Sequence, residues 1–353
     1  MNPVDQPVRD TWSMGNTSRV AVIGGGSWGT AVARLLAGQG VTTTLWAREP
    51  EVVEAINTRR ENTVFLPGID LPESLHATAD LAEALAGADV VVSAVPTQHV
   101  RSVFEHPGRF DDAEVIVSVS KGIEVDSLRT PSQILAEVAP ARLSGSIVAL
   151  SGPSFAHEVG LDHPAAVVAA GSSIERAREV RDLFNTSTFR VYSSDDIVSA
   201  ELGGALKNII AIAAGMSYGL GFAQNSKAAL ITRGLAEMIR LGVAMGGDPA
   251  TFAGLSGVGD LVLTCSGDLS RNRQVGMAIG RGRTLSEVLE EMNMVAEGVK
   301  TTLAAKRLAE QLGVSMPITE EVYRVLYEEK DLLEALAVLM GRAPRDERGA
   351  ASG

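Results

Sequence analysis

The chain has 353 residues, of which 45% are hydrophobic and 21% charged, as is typical of a soluble globular protein with more than one core. Its formal net charge of -12 argues against a nucleic-acid-binding protein but is compatible with a locally positive site for an anionic substrate. The single cysteine, Cys265, excludes an intrachain disulfide, disfavours a cysteine-rich metal site and fits a reducing cytoplasm. No apolar run of membrane-spanning length and no signal peptide are expected.

The first predicted strand, Arg19–Ile23, leads directly into the loop GGGSWG, and a helix is predicted for Thr30–Ala37. Gly24, Gly26 and Gly29 have the spacing G-x-G-x-x-G. In a strand–loop–helix unit the first glycine permits a tight turn, the second admits a pyrophosphate and the third lets helix and strand pack closely. The bare pattern is weak, but its position after the first strand predicts a dinucleotide site.

The second predicted strand, Val41–Trp46, ends where a side chain usually contacts the ribose of the bound adenosine. Arg48 follows this strand and would suit a 2'-phosphate, which favours NADPH or NADP and leaves NADH or NAD possible. The alternative is that Arg48 is solvated and that Glu49 binds the ribose hydroxyls.

Later predicted strands end in polar or glycine-containing turns. Lys121 follows the strand Glu114–Val119, and the turn Gly152–Ala156 follows the strand Ser146–Leu150. Because ligands bind at the carboxyl ends of the strands in an open parallel sheet, Lys121 and this turn are expected to contact cofactor or substrate. For Ser154 considered alone, a helix N-cap is the expected role. Further strands are predicted at Asp89–Val95, Ala165–Ala169 and Phe189–Tyr192.

Strands and helices alternate as far as residue 196, and the periodicity is helical nearly throughout the remainder. We therefore predict an α/β domain of Rossmann type with a parallel-rich sheet over residues 19–196. An all-α substrate domain is predicted over residues 197–342. The polar segments 1–18 and 343–353 are expected to be flexible tails.

The segment Glu201–Gly215 has an unusual helical pattern. One face is apolar, and the other carries Gly203, Gly204 and Gly215 around Lys207. Small neighbours let a ligand approach the amine, which favours a catalytic lysine. The alternative is that the glycines allow close helix packing while Lys207 extends to solvent.

Two groups of polar residues follow in the helical half. Asp260 and Thr264 share one face if a helix starts near Gly259. If the next helix starts near Arg271, its free N–H groups converge with Arg271 and Asn272 on an anion site of the kind that phosphate needs. The five histidines show no helical ligand pairing, so no metal site is expected.

From about Arg19 to Arg342 the chain resembles bacterial glycerol-3-phosphate dehydrogenases of the soluble, NAD(P)-dependent type. The resemblance is carried by GGGSWGTA, LWAR, NTVFLPG, SAVPTQ, SKGIE, SGPSFA, ELGGALKNIIAIAAG, ITRGLAEMIRLG, GLSGVGDLVLTC, SRNR and VAEGV. It implies a homodimer that reduces dihydroxyacetone phosphate reversibly to sn-glycerol 3-phosphate, supplying phospholipid synthesis. The loop GGGSWG departs from the commoner GAGSWG, and the additional Gly25 is expected to loosen the turn slightly.

The resemblance also implies residue roles, with Lys207 as the proton-transfer residue. The implied substrate site consists of Lys121, Gly152, Ser154, Lys207, Asp260, Ser270, Arg271 and Asn272, with Asn208 and Thr264 in supporting positions. The cofactor contacts expected from the motif and the resemblance are Gly24, Gly26, Ser27, Trp28, Gly29, Arg48, Lys121, Ala156, Arg271, Val295 and Glu297.

Hydride delivery to the C2 carbonyl would leave an alkoxide unless a proton arrives, and Lys207 is the expected donor. Burial and Lys121 would lower the pKa of Lys207 from its free value of about 10.4, while Asp260 would raise it, and the sequence leaves this balance open. Two other functions also stay open. One is a related dehydrogenase for hydroxy acids, whose carboxylate the cluster Ser270–Asn272 could bind, and the other is a nucleotide-sensing binding protein without turnover.

Overall fold

Apolar, largely β-branched runs form one sheet in the first half of the chain. The computed structural model describes residues 18–106, 108–292, 296–344 and 346. Within these residues the sheet has eight strands, β1 Arg19–Ile23, β2 Thr42–Trp46, β3 His76–Thr78, β4 Val90–Ser93, β5 Val115–Ser118, β6 Ile147–Ser151, β7 Ala165–Gly171 and β8 Phe189–Ser194.

The strand order is β3-β2-β1-β4-β5-β6-β7-β8, and every neighbouring pair is parallel except β6 with β7. The predicted parallel-rich sheet is therefore confirmed. The chain leaves β1 towards β2 on one side and returns to β4 on the other. This reversal opens a crevice at the carboxyl end of β1, where the glycine loop begins. The short strand β3 was not predicted, because three residues are too few to show a period of two.

Helices cover both faces of the sheet and predominate in the second half of the described chain. In the first half they are α1 Ser27–Gly38, α2 Pro50–Arg59, α3 Leu81–Leu85, α4 Val100–Phe104, α5 Pro131–Val138, α6 Ala156–Gly160 and α7 Ile174–Phe184. In the second half they are α8 Ile197–Gly219, α9 Gln224–Ala244, α10 Asp260–Ser266, α11 Arg271–Gly280, α12 Leu285–Glu291, α13 Glu297–Leu312, α14 Pro317–Tyr327 and α15 Leu332–Met340.

The central strands are apolar at consecutive positions because both faces of the sheet are covered. On β4, Val90 and Val92 pack into one core cluster, and Val91 packs into the cluster on the opposite face. All three side chains are buried. Such continuous apolar runs are characteristic of parallel sheets between two helical layers.

Helix α8 is the central helix of the second half. Its 23 residues pack against α9, α10, α11, α13 and α14. Asp196 caps its first turn by accepting a hydrogen bond from the Ser199 N–H at 2.9 Å, directly after the last strand. The predicted domain boundary at residue 196 lies at this junction, and the division into two domains stays a prediction.

The glycines of α8 allow close helix packing, as one alternative predicted. A Cβ atom on Gly203 would lie 2.2 Å from the Ser256 carbonyl oxygen, and one on Gly215 would lie 2.1 Å from the Arg273 carbonyl oxygen. The second half of that alternative is wrong, since Lys207 is buried instead of reaching solvent.

The expectation that no run reaches membrane-spanning length is also wrong for α8. By length and composition this helix is apolar enough to cross a membrane. However, 83% of its most apolar window is buried inside the protein, as in the core helix of a globular domain. Its apolar composition is therefore explained by packing on all sides.

Candidate active site

Two lysines share one buried carboxylate where the sheet meets α8. The Asp260 side chain accepts from Lys207 Nζ at Oδ1 and from Lys121 Nζ at Oδ2, each at 2.7 Å. Lys207 Nζ also donates to Thr264 Oγ1 at 2.7 Å, and that hydroxyl donates to Asp260 Oδ1 at 3.2 Å. Asp260 is the first residue of α10, so Thr264 lies one turn later on the same face, as the spacing predicted.

Burial and the neighbouring charges shift the pKa values of Lys207 and Asp260. Burial lowers the pKa of Lys207 to about 8, with a further contribution from the Lys121 charge, and Asp260 only partly opposes this shift. Burial raises the pKa of Asp260, but the charges and hydrogen bonds of the two lysines outweigh burial and bring it below its usual value. The balance that the sequence left open is thus decided in favour of a more acidic ammonium.

The small-residue face of α8 lets the sheet bring Lys121 to this cluster. Lys121 follows β5, and its Nζ also donates to the Gly152 carbonyl oxygen at 3.1 Å, just beyond β6. A Cβ atom on Gly204 would lie 2.8 Å from Ser151 Oγ and 3.3 Å from Lys121 Cγ. The glycine therefore leaves room for the stem of Lys121 beside the helix.

The turn after β6 departs from one expectation. Gly152 has a φ of 144°, and a Cβ atom there would lie 2.9 Å from Val167 Cα, so both conformation and space require glycine. Ser154 was expected to be a helix N-cap, but α6 begins at Ala156 and its N-cap residue is Phe155. The Ser154 hydroxyl instead donates to the Gly152 carbonyl oxygen at 3.0 Å and stabilises the turn.

The predicted anion site is at the start of α11. The helix begins at Arg271, and Ser270 caps it by accepting from the Arg273 N–H at 3.3 Å. Burial lowers the pKa of Arg271 from its ordinary value, and the charge of Glu297 opposes the shift. Asn272 is nearly buried and accepts a hydrogen bond at Oδ1 from the Gly298 N–H at 3.0 Å.

Glu297 joins this helical half to the sheet. Its Oε1 accepts from the Thr97 N–H, just beyond β4, at 3.0 Å. Burial raises the pKa of Glu297 to about 7, while the Thr97 N–H and the charges of Arg271, Lys121 and Lys207 act in the opposite direction. The charges of all three cations therefore act on this one carboxyl group. Val295, the other late cofactor contact expected, lies outside the described residues.

The glycine loop has the geometry that its spacing predicted. Gly24 has a φ of 125°, and a Cβ atom there would lie 2.6 Å from the Ala94 carbonyl oxygen. A Cβ atom on Gly29 would lie 1.9 Å from the Gly24 carbonyl oxygen, whereas one on Gly26 would meet nothing within 4 Å. Helix α1 begins at Ser27, three residues earlier than predicted. The open space at Gly26, in front of the helix N-terminus, fits a pyrophosphate.

Gly25 has a steric role that its motif did not indicate. A Cβ atom at this position would lie 2.5 Å from Ala47 Cβ at the end of β2. Close packing of the loop against Ala47 therefore favours glycine at this position. This steric reason for GGGSWG differs from the expected loosening of the turn.

The remaining expected cofactor contacts surround this loop. Trp28 and Ala156 pack in one apolar cluster, and the Ser27 hydroxyl donates to the Phe65 carbonyl oxygen at 2.5 Å. Arg48 is exposed, and one of its terminal nitrogens lies 2.9 Å from Glu49 Oε1. The two alternative ribose ligands thus form an ion pair with each other. Surface pairs of this kind are weak, so a ligand can replace either partner.

Asn208 and Thr97 show what the motifs could not specify. The Asn208 side chain donates to the Gly204 carbonyl oxygen at 3.4 Å within α8, one residue from Lys207. Thr97 was not singled out, because it takes part through its main-chain N–H. A main-chain group has no residue-type signal, so only the fold could find it.

Two family models together match most of the chain. The description "NAD-dependent glycerol-3-phosphate dehydrogenase N-terminus" matches residues 19–177, and "NAD-dependent glycerol-3-phosphate dehydrogenase C-terminus" matches residues 196–337. The chain belongs to this family. It is therefore an NAD(P)-dependent oxidoreductase, and a nucleotide-sensing protein without turnover is disfavoured.

Named relatives and solved structures agree. The chain is 59% identical over 325 residues to a protein of Geobacter sp. strain M21, covering 92% of this chain and 97% of that protein. It is 52% identical over 330 residues to a protein of Nitratidesulfovibrio vulgaris Hildenborough, covering 93% and 100%. Both carry the name glycerol-3-phosphate dehydrogenase and specify NAD(P)+. A crystal structure of glycerol-3-phosphate dehydrogenase from Coxiella burnetii superposes with a TM-score of 0.87 at 36% identity, covering 93% and 100%.

Proposed function

We propose that this enzyme reduces dihydroxyacetone phosphate reversibly to sn-glycerol 3-phosphate, with NADPH preferred and NADH accepted. One observation carries the proposal beyond the names of the relatives. A buried lysine ammonium is held by Asp260 and Thr264, and its charge and that of Arg271 both oppose the rise in the pKa of Glu297, the first residue of α13. Asn272, beside Arg271, accepts from the next residue of that helix, Gly298. This arrangement offers a proton and an anion site to one small molecule.

The phosphate of the substrate would bind at the start of α11. This helix has ten residues, and its first N–H groups favour an anion. Arg271 supplies a partly buried guanidinium that can donate in a bidentate manner, and Asn272 supplies an amide donor. Holding the phosphate here positions the rest of the molecule, which lowers the barrier by proximity and orientation.

Bound NAD(P)H supplies the hydride for the substrate carbonyl carbon. Lys207 donates a proton to the carbonyl oxygen, so that no alkoxide accumulates. With a pKa of about 8, about 90% of Lys207 is charged at pH 7. The lowered pKa makes it a stronger acid than a free lysine, closer to the optimum for proton transfer near neutral pH. In the reverse direction the neutral amine accepts the proton of the substrate hydroxyl.

Asp260 and Thr264 position the ammonium, and Lys121 favours its deprotonation. Asp260 fixes Nζ at 2.7 Å and Thr264 holds it at the same distance. Lys121 carries a second positive charge to the other oxygen of Asp260, which favours loss of a proton from Lys207 once the substrate is in place. It also offers a donor to the anionic substrate.

The cofactor preference depends on Arg48. Its exposed guanidinium can exchange Glu49 for a 2'-phosphate, whereas Glu49 itself can accept from the ribose hydroxyls of NADH. Arg48→Ala should therefore raise the KM for NADPH more than the KM for NADH. An equal effect on both would contradict this assignment.

The function is tested by mixing the purified protein with dihydroxyacetone phosphate and following the absorbance of NADPH and NADH in parallel. A 2-keto acid without a phosphate serves as the comparison substrate. We expect turnover of the phosphorylated ketone alone, and an Arg271→Ala variant should mainly raise its KM. Arg281→Ala, at the opposite end of α11, is the matched control. Preferential turnover of the keto acid would instead support a hydroxy-acid dehydrogenase.

The cellular setting completes the proposal. The enzyme would act in the cytoplasm as a homodimer and supply glycerol phosphate for phospholipid synthesis. The close named relatives support this setting only through their shared activity. Sedimentation of the purified protein tests the dimer, and a single monomeric species would contradict it.

A further inference from the structure

The first turn of α13 has an unusual cap. The N-cap residue, Ala296, has no side chain that could accept from the free N–H groups of the turn. Helices leave their first N–H groups without partners inside the helix, and these groups need acceptors from elsewhere. The Gly298 N–H is one of them, and it donates to Asn272 Oδ1, on α11, at 3.0 Å.

This hydrogen bond fixes which way the Asn272 carboxamide points. A main-chain N–H can only donate, so the atom that receives it is the oxygen and not the nitrogen. The Nδ2 group is then directed away from Gly298. Nδ2 has no hydrogen-bond partner among the described residues. It is also not one of the fully buried polar side-chain atoms without a partner, so it remains accessible from outside. Both N–H bonds of Nδ2 are therefore available to a ligand beside Arg271.

Glycine at position 298 is required for the close approach. A Cβ atom on Gly298 would lie 2.6 Å from Asn272 Oδ1 and 3.0 Å from the Asn208 carbonyl oxygen. The first distance is shorter than real Cβ contacts allow, so the Asn272 side chain would have to move. The residue beside it, Glu297, already accepts from the Thr97 N–H in the segment that follows β4.

We propose that Gly298 is a positioning residue for the substrate phosphate. Its N–H holds Asn272 Oδ1, and its missing side chain lets the Asn272 amide lie where Nδ2 donates to a phosphate oxygen. The first two residues of α13 thereby connect the sheet, through Glu297, with the phosphate site, through Asn272. This inference rests on the proposed function for the identity of the phosphate.

A double-mutant cycle tests the proposal. The variants are Gly298→Ala, Asn272→Ala and the combination, and the measured quantities are kcat and KM for dihydroxyacetone phosphate and NADPH. Gly298→Ala should raise the KM for the ketone by about tenfold or more, as expected for one lost hydrogen bond to a charged group. In the Asn272→Ala background the same change should have almost no further effect, because the residues act as one unit.

Gly38→Ala is the matched control, since a Cβ atom at Gly38 on α1 would meet nothing within 4 Å. It should leave both KM values unchanged. Fold-changes for Gly298→Ala and Asn272→Ala that simply multiply would overturn the proposal. So would a Gly298→Ala effect confined to the KM for NADPH or to kcat.

Two further measurements keep the test independent of folding and of turnover. Asn272→Asp retains an acceptor for the Gly298 N–H but replaces Nδ2 with an anionic oxygen, so it should bind inorganic phosphate more weakly than Asn272→Ala in titration calorimetry. Equal or tighter binding would contradict the assigned orientation. The cycle is repeated with inorganic phosphate as the probe. If the losses of phosphate affinity are non-additive but the enzyme does not reduce the ketone, the proposed function is wrong and this inference stands. If the unmodified protein does not bind inorganic phosphate, the inference is overturned.

Discussion

The Asp260 carboxylate holds two ammonium groups in a buried site, so removing its charge should have a large and specific effect. Asn at position 260 would retain the shape of the side chain and lose the negative charge. Lys207 Nζ and Lys121 Nζ, each now 2.7 Å from a carboxylate oxygen, would lose the negative charge that lies between them. Loss of a proton from Lys207, whose pKa is already about 8, would reduce the repulsion between the two ammonium groups.

The size of the effect follows from the buried pair. Removing one partner of a buried ion pair typically costs about 3–5 kcal/mol, because the other charge is left unpaired. At about 1.4 kcal/mol per pKa unit, a shift of about two units would lie at the low end of that range. With a pKa of about 6, only about 10% of Lys207 would carry a proton at pH 7, against about 90% before the change. Protonation alone would then reduce the rate by about tenfold, and the lost positioning of Nζ would reduce it further.

The measurement is the pH dependence of kcat/KM for ketone reduction between pH 5 and pH 9, which extends about one unit below and about one unit above the two relevant pKa values. Reduction needs the ammonium form, so the rate falls as pH rises through the pKa of Lys207. In Asp260→Asn this fall should move to lower pH. Asp268→Asn is the matched control, since Asp268 is 96% exposed and pairs with Arg273. An unchanged pH profile in Asp260→Asn, with the fold intact, would refute the role assigned to the carboxylate.

Two further predictions concern the glycine loop and a buried carboxyl group. Gly29→Ala should prevent stable folding, because its Cβ atom would lie 1.9 Å from the Gly24 carbonyl oxygen, whereas Gly26→Ala should fold with a normal Tm and bind NADPH more weakly. Thermal unfolding and fluorescence titration with NADPH separate these outcomes. A lowered Tm in both variants would contradict the predicted difference between the two positions. Glu237 is buried with a pKa raised to about 7, so its contribution to stability is complete below pH 4.5 and is lost as pH rises through about 7. In chemical unfolding of Glu237→Gln, the free energy of unfolding should lack this pH-dependent part, which amounts to about 3 kcal/mol. The same pH dependence of the unfolding free energy in the variant and the unmodified protein would disprove the prediction.

Much of the fold could be predicted because local patterns and tertiary packing agree. The strand before the glycine loop has the bounds that its pattern indicates, and the helix expected to start near Arg271 begins at that residue. The shared face of Asp260 and Thr264 also follows from helical spacing alone. These features depend on residues that are neighbours in the chain.

The remaining features depend on contacts between distant segments. Lys121 reaches Asp260 across 139 residues of sequence, and no local pattern specifies that pairing. The pKa of Lys207 required the burial of its amine to be known. The steric demands on Gly25 and Gly298 come from Ala47 and Asn272, which only the folded chain brings close. The alternative that Lys207 extends to solvent could likewise be excluded only once the packing around α8 was known, because that packing buries the side chain.

We propose that Lys207 supplies the proton to the carbonyl oxygen of the substrate. The most direct test is the kcat for reduction of dihydroxyacetone phosphate by Lys207→Met, which has a side chain of similar length without charge. Thermal unfolding and NADPH titration would first establish that the variant folds and binds cofactor. We predict that kcat falls by orders of magnitude while NADPH binding is retained. A kcat close to that of the unmodified enzyme would contradict the account.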